Sequence, residues 1–546
     1  MKEATEVVNE SDSTKKTLTI NYDFIISPET VRGDFRTFLQ GVVSTYDKVL
    51  IKNGTYEIEV LDRGGVKPKN GCTITFEPNA KIKVKPNNFE VYSVFNLSGR
   101  KDITFWNPTL EGDKYTHKGS TGEWGHGISL MNCSNITIHN ANISKFWGDG
   151  LYFNGCSNVK IHNPILDDNR REGITIISCE NVDIYNPIIS NTTGTSPAFG
   201  IDIEPNFNGE HVKALKIYNA VFRNNAQKQG KEYPAGFALS THQVDKSLAP
   251  NKKQFVPTIF DIELINPTFY GDALLISVPG NNTHGKIIVK NPMFYETRES
   301  ALFFYNHQSN NFKTEIINPT LTNCVTLQER SIYYVPILFR CSDRAVKTTG
   351  SRNILIKNPK IIADNKAKYR ANAIRNITPS KFTEDMRDVA IENLVVNGYE
   401  IPFLNNRGGN DQSTYSILHS KFSLSLNKEN SKLPNVVSEA VVSKTLNNSL
   451  INFRENTNDP IIYLNNDIPI SGFELYYANN SVNKVPLKLI FGTKTSPTKK
   501  MVQKTGETQR SSNGITIPYG AHVTLIKKGA NSWEIIKTKS SNNVTY

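Results

Sequence analysis

Two acids stand two residues apart in the segment GIDIEPN, residues 200–206: Asp202 and Glu204, interleaved with Ile201 and Ile203. This alternation puts the isoleucines on one face of a strand and both carboxyls on the other. Paired carboxyls hydrolyse glycosidic bonds when they lie about 5–5.5 Å apart for retention or about 6.5–9.5 Å for inversion. Side chains at i and i+2 on a strand start about 6.5–7 Å apart, and equivalent positions on neighbouring strands start about 4.8 Å apart. Both geometries are open to this patch.

More groups join the pair through a repeat. WGHGISLMNCSNITIHN (124–140), WGDGLYFNGCSNVKIHN (147–163) and RREGITIISCENVDIYN (170–186) follow one another at 23-residue intervals. Just ahead of the glycine in each copy lie His126, Asp149 and Glu172. Ser129, Tyr152, Thr175 and Asp202 share a second position, and Met131, Asn154, Ile177 and Glu204 a third. Crowded acids raise one another's pKa, while Arg170 or Arg171 would hold a neighbour ionised, which is the division of labour between a general acid and its partner. Asp202 and Glu204 are therefore the principal catalytic candidates, with Glu172 and Asp149 beside them. Arg170, Arg171, Tyr152, His126, Trp147 and Trp124 are candidates for holding a sugar, the aromatic rings by stacking. The plain alternative is that outward acids form a solvated face and that the tryptophans pack coil ends.

A fixed period of 23 residues requires an element that stacks on copies of itself. Within each copy the alternation is of strand type: Ile128 and Leu130, Leu151 and Phe153, Ile174 and Ile176 share one parity, and a second apolar run follows. Short strands joined by Gly, Asn and Pro make one coil of a parallel β-helix, with like residues in ladders. Cys133, Cys156 and Cys179 supply one such ladder, expected as buried thiols. Asn140, Asn163 and Asn186 supply another, and Asn-Pro pairs recur from Asn107 to Asn358. A residue before proline is biased toward extended backbone, so each Asn-Pro is expected to end a strand in that conformation. After Glu172 the glycine beat lengthens, so extra residues leave the stack as loops beside the acids.

The expected architecture is all-β: a right-handed parallel β-helix over 26–405 with an N-terminal capping helix at about 28–45, where Phe35, Phe38, Leu39 and Val42 keep helical spacing. A polar segment (1–25) precedes it, a linker (406–439) follows, and a β-sandwich over 440–546 is expected for oligomerisation or glycan binding. The 546 residues carry 63 Lys and Arg against 51 Asp and Glu, a net charge of +12 that favours an anionic partner at long range. No basic helix or aromatic-basic platform points to nucleic acid. The absence of a CxxC or HxxxH pair argues against a metal, and no cofactor is expected. No apolar run reaches the roughly 18 residues of a membrane span, and the opening MKEATEVVNESDSTKK lacks the apolar centre of a secretory signal.

The run DNRREGITI through SNTTGTSPAFGIDIEPN, with NGTYEIE after the helix and GITIPYGAHVTLIKKGANSWEII near the end, resembles bacteriophage tailspike depolymerases of the β-helix superfamily that includes pectate lyases. The resemblance implies a homotrimer at a virion tail or otherwise outside the cell, with other tail proteins as partners, that binds and cuts a bacterial surface polysaccharide. Endo-hydrolysis of an anionic capsule, exopolysaccharide or wall glycopolymer by the paired acids is the first expectation. A lyase in which Arg171, His126 or Tyr152 serves near the base, with Ca²⁺ on the acids, is the second, and a non-cleaving adhesin the third.

Overall fold

In the computed structural model the apolar parity of each repeat becomes a column of buried side chains. The described residues are 21–399 without 208, 227–233, 242–256, 327–333, 343–348, 365–366, 371, 380–381, 383 and the side chains of 349, 384 and 385. To these are added the backbone of strands at 5–7, 18–20 and between 401 and 537, with a few side chains after 488. They fall into two compact units, 1–267 and 268–546.

In the first unit every coil contributes strands to two long parallel stacks. Ile128, Leu151, Ile174, Ile201 and Phe237 are successive partners in register, as are Ile136, Val159, Val182, Leu215 and Ile262. A third short strand carries Leu110, Ile143, Leu166, Ile189 and Phe222. All of these are buried, so the core is a set of stacked apolar columns. The three cysteines lie among them as free buried thiols, with Cys133 Sγ 3.4 Å from Cys156 Sγ.

The asparagine ladder departs from expectation. Asn163 and Asn186, each before a proline, have φ of 50° and 51°, left-handed rather than extended, as does Asn140 before Ala141 at 52°. Each side-chain amide donates to the oxygen of the Asn one coil before: Asn140 to Asn107 at 2.9 Å, Asn163 to Asn140 at 3.0 Å, Asn186 to Asn163 at 2.8 Å and Asn219 to Asn186 at 2.9 Å. Asn tolerates positive φ better than other side-chain-bearing residues, and the amide ladder adds to that tolerance, so the turn overrides the bias imposed by the following proline.

The helix spans Phe35–Thr45, seven residues later than expected at its start. Residues 27–30 form a turn instead, Gly33 has positive φ, and Asp34 caps the helix by accepting the Thr37 N–H at 2.8 Å. Its Phe35, Leu39, Val42 and Val43 are buried, and Phe35 stacks on Tyr56 of the strand Gly54–Ile58. Ahead of it, Thr5–Val7 and Leu18–Ile20 pair antiparallel; the rest of 1–17 lies outside the described residues.

The second unit repeats the plan: Phe269, Phe294 are in register, as are Leu321, Ile361 and Val396. Its amide ladder runs through Asn291, Asn318, Asn358 and Asn393. Within 406–439, strands Thr414–Leu418 and Lys421–Leu426 continue the parallel pairing, and the remainder of that stretch lies outside the described residues. Beyond 440, Ser449–Glu455 and Glu474–Asn479 still pair in parallel, and antiparallel pairs enter with His522–Gly529 and Ser532–Lys537.

Candidate functional site

The stack brings the chemical columns together at the opening of one strand layer. Gly127 N–H donates to Asp149 O at 3.0 Å and Gly150 N–H to Glu172 O at 3.1 Å, which sets His126, Asp149 and Glu172 one above another. Ser129, Tyr152, Thr175 and Asp202 are register partners beside them. Glycine is required at the junction: a Cβ on Gly173 would stand 2.3 Å from Ile189 Cγ2 and 2.6 Å from Gly200 O. The third column is corrected by the structure, because a bulge pairs Asn154 with Ser178 and leaves Ile177 buried outside it.

Arg171 ties the cluster. Its guanidinium reaches Glu204, with Nη2 donating to Oε1; it lies 3.5 Å from Asp149 Oδ2 through Nη1 and 3.4 Å from Glu123 Oε2 through Nε. Nη1 also donates to Thr175 Oγ1 at 3.1 Å, and Thr175 donates to Asp149 Oδ2 at 2.9 Å. One cation thus faces carboxyls from three other coils. The Glu172 backbone N–H donates to Asp149 Oδ1 at 3.1 Å. His126 Nδ1 accepts the Asp149 backbone N–H at 3.2 Å, and its ring stacks on Tyr152 at 4.8 Å.

The acids are not a solvated face. Asp149 and Glu172 are fully buried and Asp202 is 2% exposed, and Arg171 bridges Asp149 and Glu204. Both Glu172 carboxyl oxygens and Asp202 Oδ1 are buried without a hydrogen-bond partner. The cluster meets solvent at Glu204, whose side chain is 23% exposed, and at Glu123, 43% exposed.

Burial sets the proton inventory. It raises Asp149 to about 7, with Arg171 and Thr175 pulling the other way. Burial, then the nearby Asp202, holds Glu172 well above the usual carboxylate range; burial, then Glu204, does the same to Asp202. Burial and Arg171 lower His126 to about 3, so its imidazole is neutral, and burial with Asp149 lifts Tyr152 to about 12. Burial opposes the charge on Arg171, but Asp149, Glu172 and Glu204 outweigh it. Neutral acids therefore sit beside an ion pair, the split that acid catalysis needs.

Seven of the ten candidate residues meet here: Asp202, Glu204, Glu172, Asp149, Arg171, Tyr152 and His126. The other three lie outside the Arg171 cluster. Trp147 is sandwiched between His117 at 4.0 Å and the Arg170 guanidinium at 3.8 Å, and Arg170 donates to Gly122 O at 2.8 Å. Trp124 is exposed, with no ring contact to the cluster. Sequence reasoning missed Glu123 and the role of Thr175. Glu123 occupies a position taken by Phe146 and Asn169 in the next copies, so the repeat gives no signal for it. Among the described residues no three His, Cys, Asp or Glu side chains are grouped as a metal would require. A cavity of about 700 Å³ in the second unit, lined by Asn310, Lys313, Asn353 and Asp388 among others, holds a single carboxyl and cannot host two-carboxyl chemistry.

Residues 47–230 match the family model described as the right handed beta helix region. The chain is a right-handed parallel β-helix. It is 25% identical over 132 residues to the SPbeta prophage-derived uncharacterized protein YorA of Bacillus subtilis, 21% of this chain and 22% of that protein. It is 30% identical over 116 residues to the uncharacterized protein YclG of the same organism, 18% of this chain and 20% of that one. The chain thus matches about a fifth of the length of these curated relatives. The solved A-module of mannuronan C-5 epimerase AlgE6 from Azotobacter vinelandii shares the fold with a TM-score of 0.50 at 10% identity, over 71% of this chain and 95% of that one.

Proposed function

We propose that this β-helix hydrolyses glycosidic bonds in a bacterial surface polysaccharide, with Asp202 as proton donor and Glu204, paired to Arg171, as its partner carboxyl. The observation that carries the reading is the coexistence, on one short segment, of a buried neutral carboxyl with an unpartnered oxygen and a carboxylate paired to Arg171 at the solvent edge. In the reaction Asp202 gives its proton to the glycosidic oxygen as the C1–O bond breaks. Glu204 either bonds C1 and is displaced by a water whose proton goes to Asp202, or takes the proton of a water attacking C1 and then loses it to solvent while Asp202 regains one; in both cases the starting protonation is restored. Asp149 and Thr175 hold Arg171 in place. We place this activity at a phage tail, with a homotrimer and tail-protein partners as parts of the same proposal; the similarity to a prophage-derived protein supports the phage origin alone.

Elimination is less well supported. It needs a cation free to neutralise a uronate carboxylate, and Arg171 and Arg170 both have their partners within the protein. The test is incubation of the purified chain with capsular and wall polysaccharides, following new reducing ends together with ultraviolet absorbance of unsaturated uronates. Reducing ends without absorbance support hydrolysis. Both signals together indicate a lyase, and binding with neither an adhesin. Asp202→Asn and Glu204→Gln should each lower turnover by about 10²-fold or more with folding retained; unchanged turnover removes that residue from the chemistry.

A further inference from the structure

Net charge alone draws a polyanion to this protein, yet the chemistry of the cluster selects against negative charge at the point of cleavage. We infer that the sugar ring seated against Asp202 and Glu204 carries no carboxylate: it is a neutral or amine-bearing sugar, and any uronate in the polymer lies at other positions. This rests on the hydrolytic reading of the same site and adds the class of ring it accepts.

Five carboxyls, those of Glu123, Asp149, Glu172, Asp202 and Glu204, converge on the Arg171 guanidinium or on one another. The Arg171 guanidinium already faces three carboxyls and the Thr175 hydroxyl, with Nε lacking a hydrogen bond but 3.4 Å from Glu123 Oε2, so its charge is met from within the protein. Arg170, the next cation along the chain, spends Nη1 on the carbonyls of Gly122 and Trp147 and its plane on the Trp147 ring. Of the cluster side chains that reach solvent, Glu123, Glu204 and Tyr152, two are acids and none is a cation. A uronate entering between the two acids would meet like charge at short range, which opposes its binding once desolvated. A hydroxyl, acetamido or ammonium group finds the opposite. The buried oxygens of Glu172 and Asp202 that lack partners are acceptors, and in their neutral form also donors, matched to groups that both give and take hydrogen bonds. They are the second, independent pointer to a ligand in the cluster, since buried polar atoms are ordinarily paired.

The probes are uronate-containing capsular polysaccharides, the same polymers with their carboxyls reduced to alcohols by carbodiimide and borohydride, and an N-acetylated amino-sugar wall glycan. Binding and reducing-end release are measured at about 0.5 M salt, where long-range attraction is screened. Reduced or amino-sugar polymers should bind at least about tenfold more tightly than polymers made wholly of uronate. Where a mixed polymer is cut, mass spectrometry should find no uronate on either side of the broken bond. Glu123→Gln, a surface change, should narrow the preference by improving the uronate polymer. A uronate at the new reducing end, or equal binding of a wholly uronate polymer and its reduced form, overturns the inference while leaving hydrolysis standing. Selective binding without new reducing ends overturns hydrolysis and leaves the ring preference standing. No binding to any probe overturns both.

Discussion

Asp149 is an acid that the fold keeps protonated. With a folded pKa of about 7 against an ordinary 3.8, it holds its proton between those values while the unfolded chain has lost it. Unfolding then releases a proton, so stability is fullest below about pH 4, falls as pH rises toward 7, and levels off above it. Glu172 and Asp202, also raised by burial, add to the same decline. Asp149→Asn removes one titrating group at constant shape. Its unfolding free energy should therefore fall less than the parent's between pH 4 and 7, by a few kcal/mol, as measured by denaturant titration at each pH. Parallel slopes for the two proteins would show that Asp149 titrates normally. Period alone made Asp149, Glu172 and Asp202 legible, because each recurs at a fixed offset from a repeated glycine. Their burial was not legible, since alternation says which face a side chain takes but not what lies over that face. There Arg171 bridges Asp149 and Glu204.

The coil is held by ladders whose rungs can be removed singly. Asn163 donates to Asn140 at 3.0 Å and accepts from Asn186 at 2.8 Å, at φ 50°. Ala at that position loses both amide bonds, worth about 1 kcal/mol each, and takes a left-handed backbone that costs about 1–2 kcal/mol for a residue with a Cβ. Asn163→Ala should thus destabilise by about 3 kcal/mol and Asn163→Gly by about half as much, read from equilibrium unfolding midpoints. Equal losses would mean that backbone strain contributes nothing. The ladder itself was readable from the spacing of Asn140, Asn163 and Asn186, while its conformation was not. The proline rule is a local bias, and the amide chain along the stack is a non-local term that outweighs it. The helix shows the same division, its apolar stripe read correctly and its start missed because Ser27–Thr30 closes a turn and Asp34 takes the cap.

Across the whole chain, positive net charge and an acidic reaction site act at different ranges. A net charge of +12 attracts a polyanion over tens of ångströms in dilute salt, but the Debye length is about 10 Å at 0.1 M and shorter above that. The interactions around Arg171 are buried and screened far less. Capture and chemistry should therefore separate by salt dependence. Raising salt from about 0.05 to about 0.5 M should lower kcat/KM on an anionic polymer by about tenfold or more and leave kcat nearly unchanged, while a neutral polymer cut by the same site should show little change in either. Steady-state rates on the two polymers across that range decide it. If kcat on the anionic polymer fell with salt in step with kcat/KM, the charge at work would lie in the cleavage step, and the division between a basic surface that gathers polymer and an acidic cluster that selects the ring would fail. If both polymers responded alike, net charge would have no part in capture, and recognition would rest wholly on the residues gathered by Arg171.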